Sequence, residues 1–125
     1  MFGKVLTGAT GSLGSHLLHQ LVSMPPDCVT KVVCLVRGSD NAVALDRVKR
    51  ALEHRKLECN SERFDVLAAR LGKPNLGLEE DVYFSLTRDV DVIIHVSEAG
   101  VRSVLSLVFT GTMMLTLGCL GGALW

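Results

Sequence analysis

The chain has 125 residues, 48% of them hydrophobic and 21% charged, and its formal net charge is zero at pH 7. That length suits one domain able to bury roughly two-thirds of the surface its unfolded chain exposes. A neutral balance excludes the broad basic face of a nucleic-acid or polyanion binder, and Met1 opens almost directly into a strand, so no signal peptide is expected.

The first element, "FGKVLT" at residues 2–7, is short and apolar enough for a buried strand, although Gly3 and Lys4 weaken its start. "GATGSLG" follows, with Gly8, Gly11 and Gly14 at regular intervals. Glycine costs a helix about 1 kcal/mol relative to alanine, so three at a helix start imply a need for close backbone approach. Gly8 permits a sharp turn out of the strand, Gly11 lets a phosphate reach the main chain, and Gly14 lets the helix press onto the sheet. Leu13, Leu17 and Leu21, with Leu18 and Val22 beside them, form the apolar stripe of that helix. Its unpaired first-turn N–H groups and positive dipole end would face a dianionic pyrophosphate, which makes the stretch a candidate dinucleotide cradle. Glycine-rich turns also join other strands to other helices, so the elements that follow decide. His16 and His19 lie one helical turn apart, but no carboxylate or cysteine is placed to complete a metal site, and they read as helix-surface residues.

"SMPPD" ends the helix, since proline neither donates the required N–H nor leaves its predecessor helical. "KVVCLVR" at 31–37 is a continuous β-branched run of the kind buried on both faces of a parallel sheet. "AVALDRVKRALEHRKLE" at 42–58 sets Leu45, Val48 and Leu52 on one face and most of its charge on the other, a second helix. Its basic face, with Arg47, Arg50 and His54, reads as solvated surface. "FDVLAA" at 64–69 is a third strand and "GKPNLG" at 72–77 a loop. Residues 78–90 place Leu78, Val82 and Leu86 at helical spacing behind an acidic start of Glu79, Glu80 and Asp81. "DVIIH" at 91–95 is a fourth buried strand.

This alternation predicts an α/β fold: the N-terminal part of a Rossmann fold over residues 1–95, its parallel sheet ordered 3-2-1-4 and its helices on both faces. Residues 96–125 form an atypical apolar tail, expected to be helical. The 23 residues from Ser103 to Trp125 carry no charge, enough to cross a bilayer if helical, although Gly111, Gly118, Gly121 and Gly122 make a mediocre span. Membrane insertion, burial or disorder, and translation into an unspliced intron stand as readings of the tail; Val96-Ser97 can be encoded by GTGAGT, a consensus splice donor. The four cysteines, Cys28, Cys34, Cys59 and Cys119, lack CxxC spacing and read as reduced thiols of a cytoplasmic protein.

"VLTGATGSLGSHLLHQL", "VVCLVRGSD", "GKPNLGLEEDVY" and "VDVIIH" together resemble the thioester reductase domains of non-ribosomal peptide synthetases and their carboxylic acid reductase and aminoadipate reductase relatives. These belong to the extended short-chain dehydrogenase/reductase group, and the resemblance covers about residues 4–95. It implies NADPH-dependent reduction of a carrier-bound acyl thioester to an aldehyde or alcohol. It places Gly8, Thr10, Gly11, Ser12, Leu13 and Gly14 around the pyrophosphate and Arg37 at the adenosine ribose phosphate. An arginine after the second strand, where NAD-preferring sites carry a carboxylate, points to NADP(H). Arg47 either adds a second positive charge there or lies on a solvated surface. The chain departs from the family at Arg70, where an aspartate is usual, and after His95. The superfamily's chemistry needs a tyrosine with a lysine four residues later. The single tyrosine, Tyr83, is followed at that interval by Thr87 and reads as a helix residue packed on the sheet. His95 and Ser97 lack a third orienting group, so no catalytic residue is assigned. The expected function is therefore that of a dinucleotide-binding fragment that is not catalytic alone. The alternative is a non-catalytic Rossmann-core protein held to a membrane through residues 103–125.

Overall fold

The computed structural model describes residues 3–70, 72–98 and 113–119. Their elements are β1 (Gly3–Thr7), α1 (Ser12–Ser23), β2 (Lys31–Val36), α2 (Asn41–His54), β3 (Phe64–Ala68), a 3-10 turn (Pro74–Gly77), α3 (Glu80–Asp89), β4 (Val90–Glu98) and β5 (Met113–Cys119). The strands form one sheet in the order β3-β2-β1-β4-β5, every neighbouring pair parallel. The expected order 3-2-1-4 is therefore present, extended by a fifth strand.

β2 shows why an unbroken apolar run becomes a central strand. Val32, Cys34 and Val36 enter one core cluster, while Val33 and Leu35 join the other. Successive side chains of a strand point to opposite faces, so a strand covered on both sides must be apolar throughout. The first cluster receives Leu18, Leu21 and Val22 from α1 and Ala44, Val48 and Leu52 from α2, and the second receives Leu86 of α3 and Leu76 of the 3-10 turn. Helices thus cover both faces.

The second helix stops at His54, earlier than its apolar period suggests. Lys56 takes φ 55°, and the Leu57 N–H returns to the Leu52 carbonyl at 2.9 Å. This left-handed stop satisfies the last carbonyls and lets Leu57 pack on the cluster that holds Leu52. Beyond it, Arg63 donates from Nη1 to the Val22 and Met24 carbonyls at 3.2 and 3.1 Å and from Nη2 to the Val29 carbonyl. One guanidinium therefore joins the C-terminal end of α1 to the approach of β2, where carbonyls lack helical partners and the dipole end is negative.

β4 runs on through Val96 to Glu98. The expectation of helix in the tail is corrected over Met113–Cys119, which pairs with β4 from Val92↔Met113 to Glu98↔Cys119. An apolar segment without charges has no period to separate helix from strand, and the free backbone along β4 supplies the hydrogen-bond partners that decide it. Residues 99–112 and 120–125, which hold most of the stretch read as a membrane span, lie outside the described residues. Among the described residues no helix is long and apolar enough to cross a membrane.

Candidate functional site

β1 ends at Thr7, and Gly8 reverses the chain at φ 77°, a conformation that side chains rarely adopt. A Cβ there would also stand 2.7 Å from the Val96 carbonyl oxygen. The Gly11 N–H closes the turn on the Gly8 carbonyl at 3.1 Å. Gly11 then serves as N-cap of α1 in extended conformation; no side chain caps the helix and no acidic residue lies in its first turn. Its initial N–H groups and positive dipole end are left for an outside anion.

The other two glycines differ in what surrounds them. A Cβ on Gly11 would meet only the Gly8 oxygen, at 3.6 Å, so the space in front of it is open to a ligand. A Cβ on Gly14 would fall 1.8 Å from the Gly8 oxygen. The helix therefore presses on the Gly8–Ala9 turn itself, where the spacing of glycines suggested contact with the sheet. Ser15 fastens the same junction, its buried hydroxyl donating to the Ala9 carbonyl at 2.7 Å. Thr10 and Leu13 are half-buried on the turn, and Ser12 is exposed at the helix start.

Arg37 directly follows β2 and is exposed. Arg47 Nη1 donates to the Arg37 carbonyl at 2.6 Å, so Arg47 also steadies the loop that presents Arg37. Asp40, the nearest carboxylate along the chain, is the N-cap of α2 and accepts from the Val43 N–H at 2.8 Å. Asn41 beside it accepts from the Ala68 N–H at 2.8 Å and fixes α2 to the end of β3. Arg70 is exposed just beyond that end, its N–H bonded to the Leu76 carbonyl at 2.8 Å.

On the sheet face opposite α1, Thr7 at the carboxyl end of β1 and His95 within β4 are register partners. Their side chains, 1% and 4% exposed, meet at 2.7 Å between Thr7 Oγ1 and His95 Nδ1, and Thr7 Oγ1 accepts the Val96 N–H at 3.2 Å. No local pattern signals this pair, because its members come from strands 88 residues apart. Burial pushes the His95 imidazole below its ordinary value. The unfolded chain binds this proton near pH 6.5 and the folded chain only at lower pH, so the stability owed to neutral His95 is complete above about 6.5 and is lost as pH falls from there. Urea unfolding at pH 7.5 and 5.5 should show the native chain losing more stability than His95→Gln, by at most about 1.4 kcal/mol per pH unit. Equal losses would mean that His95 charges within the fold at no cost.

The remaining candidates are engaged elsewhere. His16 Nδ1 bonds the Ser12 carbonyl and His19 Nδ1 the Glu58 carbonyl, each at 2.8 Å. Among the described residues no group of three His, Cys, Asp or Glu could hold a metal ion. Tyr83 packs against the second core cluster and meets Phe84 edge to face at 5.9 Å, as its helical reading expects. Arg50 pairs with Asp46 at 2.8 Å on the exposed face of α2. Burial foremost, with the Cys59 thiol and the Asp65 carboxylate, pushes the Cys34 thiol up to about 12, too high for a nucleophile at neutral pH. A groove of about 960 Å³ follows β3, walled by Asn41, Leu45 and Lys49 on one side and Val82, Ser85 and Asp89 on the other. It touches none of the glycine-turn residues.

The NAD-binding family described as male sterility protein matches residues 6–107. The large subunit of L-2-aminoadipate reductase from Penicillium chrysogenum is 38% identical over 92 residues, which are 72% of this chain and 6% of that protein. The non-reducing polyketide synthase dbaI of Emericella nidulans is 42% identical over 94 residues, 73% of this chain and 4% of that protein. Among solved structures, the PhqB reductase domain from Penicillium fellutanum superposes with a TM-score of 0.70 at 27% identity, covering 94% of this chain and 36% of that one. The chain thus spans a small part of the curated relatives it matches.

Proposed function

The chain belongs to the male sterility protein family of NAD-binding domains, and from that premise we propose that it is the NADP(H)-holding part of a thioester reductase-like oxidoreductase. The observation that carries this reading is the uncapped first turn of α1 behind a glycine turn that leaves Gly11 open in front. Gly8, Thr10, Gly11, Ser12, Leu13 and Gly14 surround the pyrophosphate, and the guanidinium of Arg37 takes the ribose 2′-phosphate. Arg47 holds the backbone of Arg37 and lends a second charge. Directly after β2, where NAD-preferring sites carry a carboxylate, the chain has Arg37, Gly38 and Ser39, and Asp40 lies beyond them as the cap of α2.

The bound dinucleotide would supply the hydride. This chain's residues bind and orient it; they supply no proton, since the one tyrosine is packed beside Phe84 and has no lysine four residues on. The nucleotide role is assigned to residues 1–95, and reduction of a carrier-bound acyl thioester to the full-length parent, with an acyl carrier domain as its partner. A reducing cytoplasm suits the free thiols of Cys28, Cys34 and Cys59.

Titration with NADPH and NADH tests the reading. Tighter binding of NADPH is expected, and Arg37→Ala should weaken it by about 1.5 to 3 kcal/mol, the worth of a charge-assisted hydrogen bond, while leaving NADH almost unchanged. Equal affinity for the two nucleotides, or indifference to Arg37→Ala, rejects the NADP(H) assignment. NADPH oxidation by this chain with an acyl thioester would reject the absence of turnover.

A further inference from the structure

α2 grips the proposed nucleotide crevice at two points. Arg47 holds the Arg37 carbonyl on the β2 side. From the other end of the helix, half-buried Arg55 reaches the glycine turn, its Nη1 donating to the Thr10 carbonyl at 3.4 Å and to the Ala51 carbonyl at 3.3 Å. Both bonds leave from Nη1, and among the described residues neither Nε nor Nη2 takes a further partner. The Thr10 carbonyl and the Gly11 N–H share one planar peptide unit, and fixing one end fixes the other. With its oxygen drawn toward Arg55, that unit directs its N–H to the Gly8 carbonyl at 3.1 Å. A released unit could turn its oxygen lone pairs toward an approaching phosphate.

We propose that Arg55 is a positioning residue of the dinucleotide site, an inference that rests on the nucleotide reading above. It holds the Thr10 carbonyl out of the phosphate path and places a positive charge behind the turn. Its effect falls on the pyrophosphate, which NADH and NADPH share, whereas Arg37 acts on the 2′-phosphate that only NADPH carries. The two arginines therefore differ in the pattern of loss each produces.

The test measures the affinity of the full chain for NADPH and for NADH in the native protein, Arg55→Met and Arg55→Lys, with a melting curve for each. Arg55→Met is expected to weaken both nucleotides by a common factor of about 10. Arg55→Lys, which keeps the charge and one donor direction, should recover part of that loss for both. A merely structural arginine would lower the melting temperature and leave affinity below it unaltered. Undiminished affinity in Arg55→Met, or a loss confined to NADPH, overturns the assignment. Should Arg55→Met not fold, a common loss in Arg55→Lys supports the proposal and none overturns it. If the native chain binds neither nucleotide, the dinucleotide reading itself fails; if it binds both and the variants match it, only the role of Arg55 falls.

Discussion

Replacing Gly14 with alanine is expected to destabilise the fold by about 4 kcal/mol or more, the range reserved for collisions that the structure cannot relax around. The new Cβ would lie 1.8 Å from the Gly8 oxygen, 2.5 Å from the Gly8 carbonyl carbon and 3.0 Å from the Ala9 Cα. All three are backbone atoms, so no rotamer change makes room. Retreat of the turn is blocked as well: Ala9 is fully buried, and Ser15 holds its carbonyl from the helix side. Alanine's helix propensity returns only about 1 kcal/mol. Gly11→Ala is the contrasting variant, since its Cβ meets a single atom at an ordinary 3.6 Å. It should change stability by no more than about 1 kcal/mol, yet weaken nucleotide binding by putting a methyl group where the phosphate approaches. Urea unfolding with nucleotide titration separates the two effects, and a Gly14→Ala chain as stable as the native one would refute the contact.

Arg63→Met should cost about 3 kcal/mol, a fall in Tm on the order of 10 °C. Methionine keeps much of the side chain's volume but strands the part-buried carbonyls of Val22 and Val29 and leaves the exposed Met24 carbonyl to water. Stranding acceptors costs more than the net worth of the bonds that satisfied them. The loss also removes a positive charge from the negative end of α1, whose last turn carries no basic residue of its own. Arg63→Lys should recover less than half of the loss, because one ammonium cannot reproduce a planar fork that spans three acceptors. Thermal unfolding of the three proteins checks this, and a Lys variant equal to the native chain would show that charge alone suffices.

The parts of the site legible beforehand are those whose cause is local. Gly8 must reverse the chain immediately after a strand, and its φ of 77° is the conformation that only glycine takes cheaply. The run from Lys31 to Val36 is apolar on both faces because both faces are covered. Arg37 lies one residue past that strand whatever the rest of the chain does. Gly14 shows the limit of such reading: its spacing signals close approach, but which surface approaches depends on how tightly the turn closes on Gly8. The end of α2 was hidden for a related reason. Lys56 is no ordinary left-handed residue, and it accepts φ 55° because Leu57 gains a place on the core beside Leu52.

Order of elements, alternation of strand and helix, the glycine turn and the arginine that follows β2 were determined by the sequence itself, since each rests on side chains within a few residues of one another. Tertiary structure alone decided that Met113–Cys119 is a strand, because an unbroken apolar segment takes the conformation its neighbour's backbone offers, here the open side of β4. It also decided the contacts of Thr7 with His95, of Arg63 with the end of α1 and of Arg55 with Thr10, whose members lie 88, 41 and 45 residues apart. No periodicity links such residues, and they meet only because parallel strands and their crossover helices bring the ends of distant segments into contact.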